Sequence, residues 1–335
     1  MINKIVKKYN NSVPLLMTIV ILSWGTFAAL SKLSLSRIDE YQAQFFMFFW
    51  ATIGMNIMFL LNRGFEKLAQ LKREVIGKLI LIAVPSFLYY LFYLYALNEI
   101  SASEASILNY TFPIFIVIFA VLINGERLNK YNIISILVGF IGVIIILTNG
   151  NMLDFKLSNI KGDLYAVIGA VCWAVFSNLG KKVDVNPMVS NYVYTTVCFI
   201  LSAILVLLKS SFILPGVIAM SGSAFIGLSN IVIGYYLWFR VLKIASTTLV
   251  ASMSFITPFV TLFFISLLIG ESIQTGHIIG LIVILLGTAI QLIKPQMKVT
   301  VLESRQLALI GIKHYNFLLT IDKVSTIILV KRLSC

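Results

Sequence analysis

The chain is poor in charge, and poorest in acid. Only 12% of its 335 residues are Asp, Glu, Lys or Arg, and only 13 of these are acidic. A soluble domain carries roughly 25% charged residues, so there is too little polar sequence here to cover a globule in water. Histidine is limited to His277 and His314, and neither H-E-x-x-H nor G-x-S-x-G occurs. A membrane hydrolase would lack its machinery, so the chain is not expected to be an enzyme. The phosphate-cradling G-x-x-x-x-G-K-[ST] loop is missing too, which argues against ATP drive by this chain alone. Cysteine occurs only as Cys172, Cys198 and Cys335, and the first two fall inside apolar runs. That leaves no disulfide framework and no metal-ligand spacing. No cofactor and no metal site are expected. A pore-loop motif and a ring of charges, the marks of a channel, are also wanting.

What the chain does have is apolar sequence, 59% of it, with a mean hydropathy of +0.98. A helix needs about 20 apolar residues to cross about 30 Å of hydrocarbon. Ten runs qualify: residues 13–33, 42–61, 79–97, 103–123, 133–147, 163–180, 188–208, 222–242, 248–268 and 275–292, called spans 1 to 10. The fifth is short. The runs are continuous rather than alternating and too long for barrel strands. The expected fold is an all-α polytopic membrane protein of ten transmembrane helices. The first run follows Lys4, Lys7 and Lys8, as in a signal peptide, but its length and the nine runs after it make it a retained span.

The net charge of +13 does not imply nucleic acid, because the basic residues sit in the gaps between apolar runs. With the N-terminus in the cytoplasm, Lys32, Arg37, Lys156, Lys161 and Lys209 fall outside, and the other Lys and Arg residues fall inside. The positive-inside bias therefore places both termini in the cytoplasm and the protein in the cytoplasmic membrane.

One phrase is written twice. "TFPIFIVIFAVLINGERL" from Thr111 is echoed by "ITPFVTLFFISLLIGESI" from Ile256. At one common offset Leu97–Leu147 aligns with Leu242–Leu292 without a gap. Ser101 then meets Ser246, Pro113 meets Pro258, Gly125-Glu126 meets Gly270-Glu271, and Gly142 meets Gly287. "WGTFAALSK" (Trp24–Lys32) likewise matches "WAVFSNLGK" (Trp173–Lys181). Two homologous five-span halves follow, 13–147 and 163–292, with a tail at 299–335. Five is odd, so the second half enters the membrane from the opposite side. Inverted repeats of this kind mark secondary transporters, with substrate near the midplane between the halves.

These residues resemble the EamA-type drug/metabolite transporters. The carrying features are Trp24 and Trp173, the "YALNEISASEASIL" entry to span 4, the prolines of spans 4 and 9, and both Gly-Glu phrases. The resemblance covers about 13–295 and implies a ten-helix carrier of amino acids or other small metabolites, often an exporter. It also implies a central cavity lined by spans 1, 3, 4, 6, 8 and 9. The tail departs from the pattern. A multidrug or quaternary-amine carrier of the same architecture is the alternative.

Candidate residues follow from depth and chemistry. Pro113 and Pro258 lie near the bilayer centre, about 18 Å of helix from their Gly. Each frees the carbonyl four residues back, that of Asn109 or Ser254. Such backbone survives in hydrocarbon where protein or a wet cavity satisfies it, so the prolines are helix kinks that either pack or line a cavity. Trp24 and Trp173 lie away from the interfaces, and Tyr90, Tyr93 and Tyr235 lie near mid-depth. With Asn109, Asn178, Asn230 and Ser254 they form the expected binding set for a small neutral or zwitterionic solute. Tyr95 and Arg240 fit an interfacial belt. Glu104 is the coupling candidate, although Ser101-x-x-Glu104 also reads as a capping box. Lys32 and Lys181 are expected to snorkel to opposite surfaces. Gly139 and Gly142, and Gly276 and Gly280, give small faces that either join the halves or form a homodimer.

On a background without native cysteines, Cys at position 126 and Cys at position 271 should react with an impermeant thiol reagent from opposite sides of the membrane. Same-side labelling would remove the inverted repeat.

Overall fold

The computed structural model describes residues 12–126, 128, 130–147, 159–270 and 275–292. Glu271 and the tail 299–335 lie outside the described residues. All regular structure among those described is helical. The first expected half holds α1 (Val13–Gly25), α2 (Phe27–Leu35), α3 (Glu40–Leu61), α4 (Gly64–Ala69), α5 (Arg73–Glu99), α6 (Ala102–Asn109), α7 (Phe112–Asn124) and α8 (Lys130–Leu147). The second holds α9 (Ile160–Lys182), α10 (Pro187–Lys209), α11 (Val217–Phe225), a π-helical segment (Ile226–Gly234), α12 (Tyr235–Ile244), α13 (Thr247–Ser254), α14 (Thr257–Ile269) and α15 (Thr275–Leu292).

Among the described residues eight stretches are long and apolar enough to cross a membrane, and they correspond to expected spans 1–4 and 6–9. Expected spans 5 and 10 are the helices α8 and α15, whose apolar parts are shorter. The chain is a multi-pass membrane protein. Its helices outrun their apolar cores, so span 3 covers Arg73–Glu99 rather than 79–97. A helix continues through interfacial polar residues until a cap stops it. Ser101 caps α6 by accepting from the Glu104 amide at 3.1 Å, and Ser246 caps α13 by accepting from the Leu249 amide at 3.3 Å. Gly125 (φ 67°) and Gly270 (φ 85°) end α7 and α14 in the left-handed conformation that glycine adopts without a Cβ penalty.

The prolines do more than bend. Span 4 stops at Asn109 and restarts at Phe112, and span 9 stops at Ser254 and restarts at Thr257. Pro113 and Pro258 each stand in the first turn of the new helix, where a missing N–H costs nothing.

The bundle buries polar side chains within an apolar core and turns aliphatic ones outward. Leu122 and Leu207 are 73% and 84% exposed, while Asn178, Asn191 and Thr195 are fully buried. With no water at this depth, such groups must bond one another or the backbone. Asn191 does so by donating to the Ile231 and Val232 carbonyls at 3.1 and 3.0 Å, within the π-helical segment.

Small residues let α8 and α15 pack face to face. A Cβ on Gly142 would lie 2.7 Å from Ile284 Cγ1 and 2.8 Å from the Gly280 carbonyl oxygen. One on Gly287 would lie 3.1 Å from both the Gly139 nitrogen and the Ser135 carbonyl oxygen. Gly142→Leu should therefore destabilise the bundle by about 1–3 kcal/mol. Gly77→Ala, where a Cβ meets nothing within 4 Å, should be neutral or mildly stabilising. Thermal unfolding of the purified protein in detergent measures both.

Candidate functional site

Span 1 breaks at Gly25–Thr26, where α14 packs closely against it. A Cβ on Gly25 would sit 2.5 Å from Val260 Cγ1. The break leaves Trp24 at the end of α1. Its indole Nε1 donates to the Asn230 carbonyl at 3.2 Å. The indole lies against Gly234, whose Cβ position is 2.5 Å from Trp24 Nε1. Only glycine leaves that room.

Other aromatics close around this point. Trp173 of α9 meets Trp24 edge to face, with centroids 5.0 Å apart and planes at 90°. Trp238 lies 5.0 Å from Trp24 and 5.8 Å from Trp173, so the three indoles form one cluster. Phe27 stacks on Tyr93 at 5.1 Å, and Tyr235 lies 5.3 Å from Trp173. Trp24, Phe27, Tyr93, Trp173 and Tyr235 line a cavity of about 20 Å³, with Trp238 behind them. That is room for one water and not for a metabolite. The rings fill the space themselves, so this state is closed at its centre.

Trp24, Tyr90, Tyr93, Asn109, Trp173, Asn230 and Tyr235, singled out from sequence, all line the cavity. So do Phe27, Tyr89, Tyr110 and Phe112, which sequence reasoning missed. Tyr89 stands one turn from Tyr93, and Tyr110 and Phe112 flank the break before Pro113. Those positions were the available signal.

Asn178 and Ser254 stand apart from this lining. Asn178 lies past Trp173 on α9, turned to α7. It donates to the Ile116 carbonyl at 2.9 Å and accepts from Asn124 Nδ2 at 2.7 Å. Ser254 returns its hydroxyl to the Ala251 carbonyl of its own helix at 2.6 Å.

Most tyrosine hydroxyls at the site are engaged. Tyr235 bonds Ser86 Oγ at 2.9 Å, Tyr93 donates to Ser106 Oγ at 3.1 Å, and Tyr110 bonds Thr261 Oγ1 at 2.7 Å. Three buried polar atoms of the lining have no hydrogen-bond partner: Asn109 Oδ1, Asn230 Oδ1 and Trp173 Nε1. Among the described residues, no Asp, Glu, Lys, Arg or His belongs to the lining.

Charged groups lie toward the ends of the bundle. Glu104 sits in the first turn of α6. Near it in the first turn of α9 is Asp163, which sequence reasoning passed over. Asp163 is 5% exposed, and neither of its carboxylate oxygens has a hydrogen-bond partner.

At the other end Glu126 Oε1 takes Lys181 Nζ at 2.6 Å, the Thr247 amide at 3.2 Å and the Thr247 hydroxyl at shorter range. Lys181 also donates to Thr247 Oγ1 at 2.7 Å. It therefore binds protein rather than snorkelling. Lys32 does the same, donating to the Leu97 and Ile100 carbonyls at 2.5 and 2.9 Å. Burial pushes the Glu126 carboxyl up, but Lys181 and the Thr247 donors outweigh it and hold the carboxyl below its ordinary range.

The EamA-like transporter family matches residues 11–148 and 160–293, one copy in each half. The chain belongs to this family. As an EamA-like protein it is a membrane transporter and not an enzyme. It is 26% identical over 287 residues to the uncharacterized transporter YyaM of Bacillus subtilis, covering 84% of this chain and 93% of that one. It is also 26% identical over 175 residues to the aromatic amino acid exporter YddG of Ancylobacter novellus, covering 51% of this chain and 60% of that protein. A crystal structure at 22% identity shares the fold with a TM-score of 0.71, over 87% of this chain and 99% of its own.

In this transporter the lowered carboxyl of Glu126 has a signed consequence. The stability it contributes is complete above the ordinary carboxylate pKa and is lost as pH falls through the lower folded value. Between about pH 5 and 3, Tm should fall less steeply in Glu126→Gln than in the parent, as read by thermal unfolding across that range. Equal slopes would show that the carboxyl is not held in this way.

Proposed function

We propose that this transporter moves amino acids or similar neutral and zwitterionic solutes, as an exporter working by alternating access. The observation that carries this reading is the set of three unpaired polar atoms in an uncharged aromatic wall. Asn109 Oδ1 and Asn230 Oδ1 are acceptors fit for an ammonium group, and Trp173 Nε1 is a donor fit for a carboxylate. The rings of Trp24 and Trp173 would take the solute's body. A sugar phosphate would require a cation in the lining, and the lining has none. The similarity to a protein named as an aromatic amino acid exporter supports the same class.

The cavity must widen to admit any such solute. In our reading the widening is a movement of the repeat 13–147 against the inverted repeat 163–292, ten spans in all. The termini lie in the cytoplasm and the protein lies in the cytoplasmic membrane. Glu104, with Asp163 beside it, is the coupling candidate. A homodimer is compatible with this architecture. A second reading, a quaternary-amine or multidrug carrier, is favoured by the aromatic faces around the cavity, which attract cations.

The test is a thermal-shift screen of purified protein against amino acids, nucleosides, quaternary amines and sugar phosphates, followed by uptake into proteoliposomes. Amino acids should stabilise the protein and be transported. Alanine at Trp24, Tyr90, Trp173 or Tyr235 should lower transport about tenfold or more with insertion intact. Leu122→Ala and Leu207→Ala should have little effect. Stabilisation and transport with quaternary amines alone, abolished by Glu104→Gln, would establish the second reading instead.

A further inference from the structure

The central cavity of about 20 Å³ has room for one water, so a metabolite is admitted only when one end of the bundle opens. At the end where α7 finishes and α13 begins, the way in is crossed by a row of polar bonds. Follow α9 outward from Trp173. Ser177 accepts from Trp238 Nε1 at 3.1 Å. Asn178 bonds the Ile116 carbonyl and Asn124 of α7 at 2.9 and 2.7 Å. Lys181, at the rim, bonds Glu126 and Thr247 at 2.6 and 2.7 Å. Each of these three residues is tied to another element across the path.

The outermost tie joins the two repeats. Glu126 ends the fourth span of the first repeat, while Lys181 and Thr247 belong to the second. Moving one repeat against the other at this end pulls the carboxylate from both partners together.

Depth sets how strongly the tie holds. A fully exposed ion pair contributes about 0–1 kcal/mol and would restrain nothing. A deeply buried pair, once parted, leaves uncompensated charge in a dry interior and would resist opening altogether. Here the Lys181 and Glu126 side chains are 21% and 18% exposed. That is buried enough to favour pairing and shallow enough for water to receive both charges on release.

We propose that Glu126, Lys181 and Thr247 form a latch that holds this end of the transporter shut, with Asn178 and Asn124 as its inner tie, and that its release opens the path to the cavity. The latch depends on the chain being a transporter, not on which solute it carries.

Ala120 reports on it. Ala120 is fully buried, on the α7 stripe between Ile116 and Asn124. Cysteine at this position is placed in a Cys172→Ala, Cys335→Ser background that keeps Cys198. Cys198 is fully buried behind the cavity tyrosines, its thiol facing the Ala83 carbonyl at 3.6 Å rather than the proposed path, and serves as the internal control for unfolding. The probe is a hydrophilic methanethiosulfonate, with modification of each site followed over time on purified protein. Glu126→Gln and Lys181→Met should each speed labelling at position 120 about tenfold, with Cys198 still protected. Thr247→Ser keeps the hydroxyl and the amide and should keep the protection. Ile116→Cys, one turn deeper and equally buried, is the second reporter should the first fail to insert. Unchanged labelling at the reporter in both charge variants would overturn the latch. So would parallel loss of protection at the reporter and Cys198, which would make these residues structural. No solute enters the measurement, so a failed amino-acid screen and a failed latch are separate results.

Discussion

A helix that breaks inside hydrocarbon leaves carbonyls with no partner, and there is no water at that depth to take them. This bundle breaks or distorts its helices in spans 1, 4, 8 and 9, and every break is answered by a donor. Thr26 returns its hydroxyl to the Ser23 carbonyl at 2.7 Å, and Thr111 does the same for Leu108 at 2.7 Å. The π-helical segment is served by Asn191 and by the indole of Trp24. The interruptions are therefore parts of the fold with their own hydrogen bonds. They are also what brings Trp24, Asn109 and Asn230 to one point, because all three sit in or beside a break.

The same constraint explains the chemistry of the centre. With the backbone and most of the tyrosine hydroxyls satisfied, few buried polar atoms of the described lining are left over. Those that remain are two amide oxygens and one indole nitrogen, set in a wall of rings. A site of this kind discriminates through the cost of leaving partners unmade rather than through charge. Charge is kept toward the ends of the bundle, away from the cavity. Glu126, Lys181 and Thr247 occupy one rim, and Asp163 and Glu104 lie toward the other.

Repetition is visible in the structure as paired devices. Each Gly-Glu phrase begins with a left-handed helix stop, and each proline begins a new half-helix. The two Ser N-caps stand at matching places, Ser101 before α6 and Ser246 before α13. The copies are not identical in detail. Lys181 reaches a carboxylate of the other repeat, whereas its counterpart Lys32 reaches main-chain carbonyls at the end of α5.

The amino-acid sequence alone determined that this is a membrane protein of repeated helical halves. Run length, sparse charge and the matched Pro, Gly and Glu positions are local properties, readable without contacts. It also marked seven residues of the cavity, because polar and aromatic side chains at mid-depth are rare enough to stand out. Tertiary structure decided the rest. In spans that are apolar all round, no stripe says which way a residue turns. So Asn178 could be placed at the right depth and still be assigned to the cavity when it faces α7. Phe27 and Phe112 could not be told from lipid-facing phenylalanines. The π-helical turn depends on Gly227 and Gly234 meeting Met47 and Trp24 from other spans. The Glu126–Lys181–Thr247 tie joins residues far apart in sequence, and only the packing of α7, α9 and α13 brings them within bonding distance.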